Sequence, residues 1–182
     1  QDEFKSYLPT INRQIKDIEN LVNEFSSFAR MPSPIFKKIE INLVIKRAVD
    51  FYKMFSKNEI HLSSKKSIIS GDEEQLYRVF INLIKNSEDS ILEKKEKDKL
   101  FKGKINIEIN QNNDYINLLL IDNGVGIKDT SKIMTPYFTT KTEGTGLGLP
   151  IVSKIINEHK GEFTISNNNP GAKVSIIFPK IN

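Results

Sequence analysis

Read from Phe4, apolar residues recur at Leu8, Ile11, Ile15, Ile18, Val22, Phe25 and Ala29, in steps that alternate four and three. That is the 3.5-residue period of a helix whose apolar edge packs against other helices. Such an edge has no partner within its own helix. Any fold for this chain must therefore supply one from outside the segment. Pro9 interrupts the row, so the helix either starts near it as a first-turn proline or bends there. The row stops at Met31-Pro32-Ser33-Pro34, where two prolines push the backbone into an extended linker. Residues 1–34 form one unit and residues 35–182 another.

The second unit is long enough to bury one substantial core: the chain has 182 residues, 38% of them hydrophobic. No apolar run approaches the ~18 residues of a membrane span. The opening QDEFKSYLPT also lacks the basic and apolar regions of a signal peptide. The segment is expected to make no direct membrane contact and to carry no address of its own, which leaves room for an anchor upstream. The absence of cysteine excludes disulfides and thiolate zinc sites. A net charge of +4 raises nucleic acid as a partner. The lysines, however, are interleaved with Asp and Glu and form no basic stripe with aromatics, so no nucleic-acid binding is expected. The densest charged run, Leu92 to Lys104, mixes both signs and reads as a solvated loop.

After the linker the periodicity becomes mixed. Phe36 to Ile41 alternates like a strand, and Asn42 is placed to cap a helix to about Phe55. A short strand follows at Ile60 to Ser64. Gly71-Asp72 opens a second helix with Leu76, Val79, Phe80, Leu83, Ile84 and Ile91 as its apolar stripe. Lys104 to Asn110 and Tyr115 to Asn123 read as a hairpin, Leu149 to Glu158 as a helix, and GEFTISN with AKVSIIFP as two final strands. Helices with a mixed, largely antiparallel sheet make an α+β fold, a two-layer α/β sandwich.

Four clusters carry chemistry. On the second helix, Asn82 and Asn86 lie one turn apart on one face, and Asn86 can offer a neutral oxygen to Mg2+. An ordinary polar helix face is the competing reading of that pair. At the end of an apolar strand stands Asp122-Asn123-Gly124-Val125-Gly126-Ile127. A carboxylate there can accept the amine hydrogen of adenine while glycines let the backbone pass beside the base, although a plain Asn-Gly turn has the same letters. In Pro136-Tyr137-Phe138-Thr139-Thr140-Lys141, Phe138 can anchor a mobile lid, and Thr139, Thr140 and Lys141 offer hydroxyls and a cation to phosphate. Finally, Gly144-Thr145-Gly146-Leu147-Gly148-Leu149 can turn backbone N–H groups and a helix N-terminus towards phosphates. The run fits neither the dinucleotide fingerprint nor the P-loop.

In this order and on these elements, the clusters resemble the N box (NLIKN), first glycine box (DNGVGI), phenylalanine box (PYFTTK) and second glycine box (GTGLGL) of sensor histidine kinases. Their ATP-binding domain has the Bergerat fold shared with gyrase, Hsp90 and MutL proteins. The resemblance runs from about Phe36 to the C-terminus. Glu24 to Pro34 is similar to the end of the dimerisation helix in nitrogen-regulation kinases of the NtrY type. Residues 1–34 would then be the second helix of a dimerisation and histidine-phosphotransfer domain plus linker, and residues 35–182 the catalytic ATP-binding domain. One departure is Gly171-Ala172, where many relatives have Gly-Thr, which puts a threonine contact near adenine in doubt.

The resemblance implies ATP and Mg2+ as cofactors, with ADP also bound. It implies Asn82, Asn86 and Lys141 as the catalytic set, with Asn86 on the metal and Lys141 and Thr140 reaching the terminal phosphate. Asp122 would meet adenine. Gly124, Gly126, Ile127, Phe138, Thr139 and the run 144–149 would complete the nucleotide contacts. It further implies a homodimer through a helical bundle, a response-regulator receiver domain as partner, and a cytoplasmic location as part of a membrane-anchored sensor. No acceptor box surrounds His61 or His159, so both are expected to be structural and the phosphoacceptor to lie upstream of Gln1. ATP-hydrolysing relatives carry glutamate where this chain has Asn82, and an amide cannot take a proton from water. That favours a kinase over a Bergerat-fold ATPase, while the intact boxes disfavour a pseudokinase or phosphatase-biased scaffold.

Overall fold

The computed structural model describes residues 2–139, 141 and 144–181, with side chains except those of residues 2–6, 17, 20, 24, 27 and 28. The order of elements is α1 (Asp2–Ala29), β1 (Lys37–Glu40), α2 (Ile41–Lys53), β2 (Glu59–Ser63), β3 (Ile68–Gly71), α3 (Glu73–Lys97), β4 (Lys104–Gln111), β5 (Tyr115–Asp122), α4 (Gly148–Glu158), β6 (Glu162–Asn167) and β7 (Ala172–Pro179). Helix α1 runs unbroken from Asp2 with Pro9 inside it, so the helix does not start at the proline. Leu8, Ile11, Ile15, Ile18, Val22 and Phe25 of its seam are all exposed.

Five strands form a sheet in the order β2-β4-β5-β7-β6, with β2 parallel to β4 and the other pairs antiparallel. Strand alternation sends Ile105, Ile107 and Ile109 of β4, Ile116, Leu118 and Leu120 of β5, and Val174, Ile176 and Phe178 of β7 to one face, all buried. Helices α2, α3 and α4 cover that face with their apolar stripes. This is the expected two-layer α+β sandwich. The next inward position of β5 is Asp122, opposite Ile105, so the same alternation that builds the core carries a carboxylate into it.

Two local readings change, and one strand, β3, had no counterpart in the sequence pattern. Asn42 does not cap α2. The helix starts at Ile41, whose N–H donates to the Ser67 carbonyl at 3.0 Å, while Asn42 Oδ1 accepts the Ser67 N–H at 3.0 Å. A remote loop satisfies the helix end, so no local cap is needed. Helix α3 continues to Lys97 through half of the charged run, which shortens the loop to residues 98–103. Strand β3 pairs with β1 in a separate two-stranded sheet.

Asp72 caps α3: its Oδ1 accepts the Glu74 and Gln75 N–H groups at 3.1 Å, and its Oδ2 accepts the linker's Ile35 N–H at 2.8 Å. Gln75 Nε2 adds a 2.8 Å bond to the Pro32 carbonyl, fixing the linker to the same helix end. His159, at the far end of α4, is only 2% exposed. Its Nε2 accepts the Asp72 N–H at 2.9 Å and its Nδ1 donates to the Ile155 carbonyl at 2.8 Å, which requires the neutral ring. His159 is thus structural, as expected, but it is a core bolt joining α3, α4 and the linker and not a surface residue.

Burial pushes the His159 pKa below 6.5, against opposing contributions from the Ile155 carbonyl and the Asp72 and Glu158 charges. The unfolded chain therefore takes up this proton first as pH falls. Stability should be flat above about pH 6.5 and then decline, by at most about 1.4 kcal/mol per pH unit, until the folded-state pKa is passed. Urea denaturation between pH 7.5 and 5.5 measures the slope. His159→Gln, which cannot take up a proton, should flatten it.

Candidate functional site

The inward Asp122 ends β5 at the wall of a cavity of about 610 Å3, bounded by α3, the turn after β5, the β5–α4 loop and the start of α4. Asp122 is 4% exposed. Its Oδ1 accepts the Gly124 N–H at 2.9 Å and the Ala172 N–H at 3.3 Å, and Ser87 donates to Oδ2 at 3.2 Å. Burial raises the Asp122 pKa above the ordinary carboxylate value, and these three donors together with the charge of Lys94 oppose the rise. The carboxylate is held by one oxygen more firmly than by the other, and Oδ2 retains capacity for a donor from the cavity. Ala172 reaches Asp122 through its backbone N–H, and its methyl side chain offers no hydroxyl in place of threonine.

The backbone around Asp122 is close-packed. A Cβ on Gly171, whose φ is +94°, would lie 1.9 Å from the Asp122 carbonyl oxygen. Gly126 and Ile127 line the cavity, and Asn167 holds Ile127 by a reciprocal pair, accepting its N–H at 2.7 Å and donating to its carbonyl at 2.9 Å. Gly124 lines an adjoining cavity together with Val125, Gly126 and Gly171. It packs against Ser90, while the Val125 N–H donates to Ser90 Oγ at 3.1 Å.

Asn82 and Asn86 both line the cavity from α3. Lys141 crosses to α3, placing Nζ 3.0 Å from Asn86 Oδ1 and 2.7 Å from Asp89 Oδ2. The oxygen expected to serve a metal and the cation expected to serve phosphate therefore meet each other here. Among the described residues no group of three or more His, Asp or Glu forms a metal cage. One amide oxygen beside one carboxylate does suit Mg2+, which keeps waters and takes its other ligands from phosphates.

Phe138, Thr139, Gly144, Thr145, Gly146, Gly148 and Leu149 also line the cavity. Thr140 lies outside the described residues. Leu147 is fully buried and belongs to the core, so its side chain does not meet a ligand. Gly146 has φ +70°, and a Cβ there would sit 2.5 Å from the Tyr137 carbonyl carbon. Tyr137 N–H donates to the Gly146 carbonyl at 3.1 Å. This glycine lets the two arms of the β5–α4 loop touch, a packing demand separate from any phosphate contact. Helix α4 begins at Gly148 with no side-chain cap from Leu147, and Gly148 and Leu149, the two N–H-bearing residues before Pro150, line the cavity.

Ser87, Asp89, Ser90, Lys94 and Asn167 were not singled out by sequence. Only Ser87 carried a local signal, as the polar centre of the apolar i, i+4 row Leu83, Ser87, Ile91.

The chain matches the family model described as histidine kinase-, DNA gyrase B-, and HSP90-like ATPase over residues 71–182. It is 36% identical to a putative NtrY-like sensor histidine kinase of Rickettsia felis over 98% of this chain and 30% of that protein. It is 32% identical to the nitrogen regulation protein NtrY of Azorhizobium caulinodans over 92% of this chain and 22% of that one. The chain thus spans less than a third of the length of these curated relatives. The catalytic domain of the histidine kinase ThkA superposes with a TM-score of 0.69 at 26% identity, covering 80% of this chain and 96% of that one. Full-length ShkA in complex with AMPPNP superposes with a TM-score of 0.73 at 19% identity, covering 98% of this chain and 40% of that one, a likeness of fold.

Gly171→Ala should cost more than about 3 kcal/mol or prevent folding, since it drives a methyl into the Asp122 peptide at a positive φ. Gly148→Ala should stay within about 0.5 kcal/mol, because only Asn82 Oδ1, at 3.8 Å, lies near the added Cβ. Thermal denaturation of the two variants checks the contrast.

Proposed function

Since the chain belongs to the histidine kinase-, DNA gyrase B-, and HSP90-like ATPase family, we propose that it is the ATP-binding catalytic region of an NtrY-like sensor histidine kinase. It would transfer the γ-phosphate of ATP to a histidine on an upstream helix, for relay to a response-regulator receiver domain. The observation that carries this reading is Asp122, a buried carboxylate that lines the cavity and whose Oδ2, with one donor from Ser87, has capacity for an amine. Adenine offers an amine there, and ADP would bind as well as ATP because this contact does not involve the terminal phosphate.

At the other end of the cavity, Asn86 Oδ1 and the Asp89 carboxylate are the oxygens placed to hold Mg2+, which supplies charge neutralisation to the phosphates when bound. Lys141, displaced from these oxygens, becomes available to the terminal phosphate. The uncapped start of α4 orients N–H donors towards the same region. Asn82 presents an amide where a hydrolase needs a base, so attacking water is not activated and the phosphoryl group waits for an imidazole. Catalysis on this account consists of positioning and electrostatics.

The exposed seam of α1 supports a homodimer through a helical bundle, with a partner's helices covering Ile11, Ile15, Ile18 and Val22. No described helix is long and apolar enough to cross a membrane. We place the region in the cytoplasm, as part of a membrane-anchored sensor.

Incubated with γ-labelled ATP and Mg2+, this chain should leave itself unlabelled and phosphorylate, in trans, a dimerisation hairpin of the same parent protein that carries the acceptor histidine. The adduct should be acid-labile and base-stable. Asn86→Ala should reduce the rate by roughly a hundredfold. Absence of transfer to folded hairpin at saturating ATP would favour a non-transferring scaffold, and label at His61 or His159 would overturn the upstream acceptor.

A further inference from the structure

Helix α3 grips the turn after β5 residue by residue. Ser87, Ser90 and Lys94 are spaced three and four apart, so they share one face of the helix. Ser87 donates to the Asp122 carboxylate, and Ser90 accepts the Val125 N–H through both its hydroxyl and its carbonyl oxygen. Lys94 takes the residues between: its Nζ donates to the Asn123 carbonyl at 2.8 Å and to the Gly124 carbonyl at 3.3 Å. The same ammonium lies 4.4 Å from the centroid of the Phe101 ring, which adds a cation-π contact.

These two carbonyls have a reason to need a cation. The Asn123 side chain is committed to the start of β4, accepting the Lys104 N–H at 2.8 Å and donating to the Lys102 carbonyl at 3.0 Å. Its own carbonyl is left on the α3 side, next to that of Gly124, whose N–H is already spent on Asp122. Two adjacent carbonyl dipoles of like orientation repel, and one ammonium satisfies both. The neighbouring lysines do something else: Lys97 and Lys128 pair with Glu93 at 3.5 and 3.2 Å.

We propose that Lys94 is a positioning residue for adenine-nucleotide binding, its ammonium tying the Asn123 and Gly124 carbonyls to α3 and so fixing the turn from which Asp122 meets the base. The inference rests on the adenine reading of Asp122. It has a second, electrostatic arm. Around Asp122 the donors are Ser87 from α3, the Gly124 N–H from the turn and the Ala172 N–H from β7, and the charge that acts on it is that of Lys94. Removing that charge leaves burial less opposed and moves the loss of the carboxylate to higher pH.

The test is the affinity of the full chain for Mg2+-ADP as a function of pH, by calorimetry, in wild type, Lys94→Met, Lys94→Arg and Lys97→Met, with melting temperatures checked for each. In wild type, affinity should fall on the acid side as Asp122 gains its proton. Lys94→Met should weaken binding about tenfold at neutral pH, and should move the acid limb to higher pH. Lys94→Arg should restore both, and Lys97→Met should change neither. If Lys94→Met fails to fold, Lys94→Gln takes its place. Unchanged affinity and acid limb in Lys94→Met would overturn the proposal, as would a loss equal at every pH that arginine does not rescue. Asp122→Asn separates the two levels: if it binds Mg2+-ADP as wild type does, the adenine reading itself fails, whereas a strong Asp122→Asn effect beside a silent Lys94→Met removes only the role of Lys94.

Discussion

A carboxylate carried into an apolar interior is the constraint around which this domain is organised. Strand β5 alternates Ile116, Leu118, Leu120 and Asp122 towards the helices, and the last of these cannot be left without donors. An uncompensated buried charge costs several kcal/mol or more. The surrounding elements answer that cost from three directions: Ser87 from α3, the Gly124 N–H from the turn, and the Ala172 N–H from β7. The approach from β7 is so close that the sequence must yield space for it, as Gly171 does where its Cα passes the Asp122 peptide. The result is an acceptor fixed in place before any ligand arrives, with one oxygen less fully used than the other. Preorganisation of that kind is what lets a single contact discriminate between bases.

The end of the cavity at Lys141 is built on the opposite principle. Lys141, Asn86 and Asp89 meet near the surface, with the Lys141 and Asp89 side chains 39% and 36% exposed. A pair so hydrated contributes about 0–1 kcal/mol, so a metal-bound polyphosphate can displace it at little cost. On the proposed reading, a rigid end for adenine and an exchangeable end for phosphate would suit a site that holds a nucleotide and then releases the product. Helix α4 spans the distance from this end to His159, where the ring bonds the cap of α3 and the Phe36 ring of the linker lies tilted against it, centroids 5.1 Å apart. The β5–α4 loop and the linker that leads to α1 are therefore joined through one eleven-residue helix.

Much of the arrangement was legible in the sequence because it is local. The seam of α1, the alternation of β4, β5 and β7, the Asp72 opening of α3 and the four boxes are each encoded within a few residues. What escaped is made by contacts between distant ones. Asn42 has the composition of a cap, yet Ser67, 25 residues on, satisfies the helix instead. His159 beside Lys160-Gly161 reads only as structural, on the surface or partly buried, and nothing local shows that it bonds a group 87 residues away. Leu147 sits between glycines of a binding motif and is core. Asp89 carries no local signal and Lys94 falls in a run that reads as a solvated loop, yet both are drawn in when the β5–α4 loop and the turn after β5 fold back onto α3, 52 and 29 residues distant. Periodicity assigns a face, and only tertiary contact says what that face meets.

The claim on which the account turns is that Asp122 selects an amine at the position where guanine carries a carbonyl oxygen. The direct measurement is the calorimetric affinity of this chain for Mg2+-ADP and Mg2+-GDP under one condition near neutral pH. An acceptor set against an acceptor in a buried site costs roughly 2–4 kcal/mol, so GDP should bind about 30- to 1,000-fold more weakly. Equal affinities for the two nucleotides would contradict the account and remove Asp122 from the base.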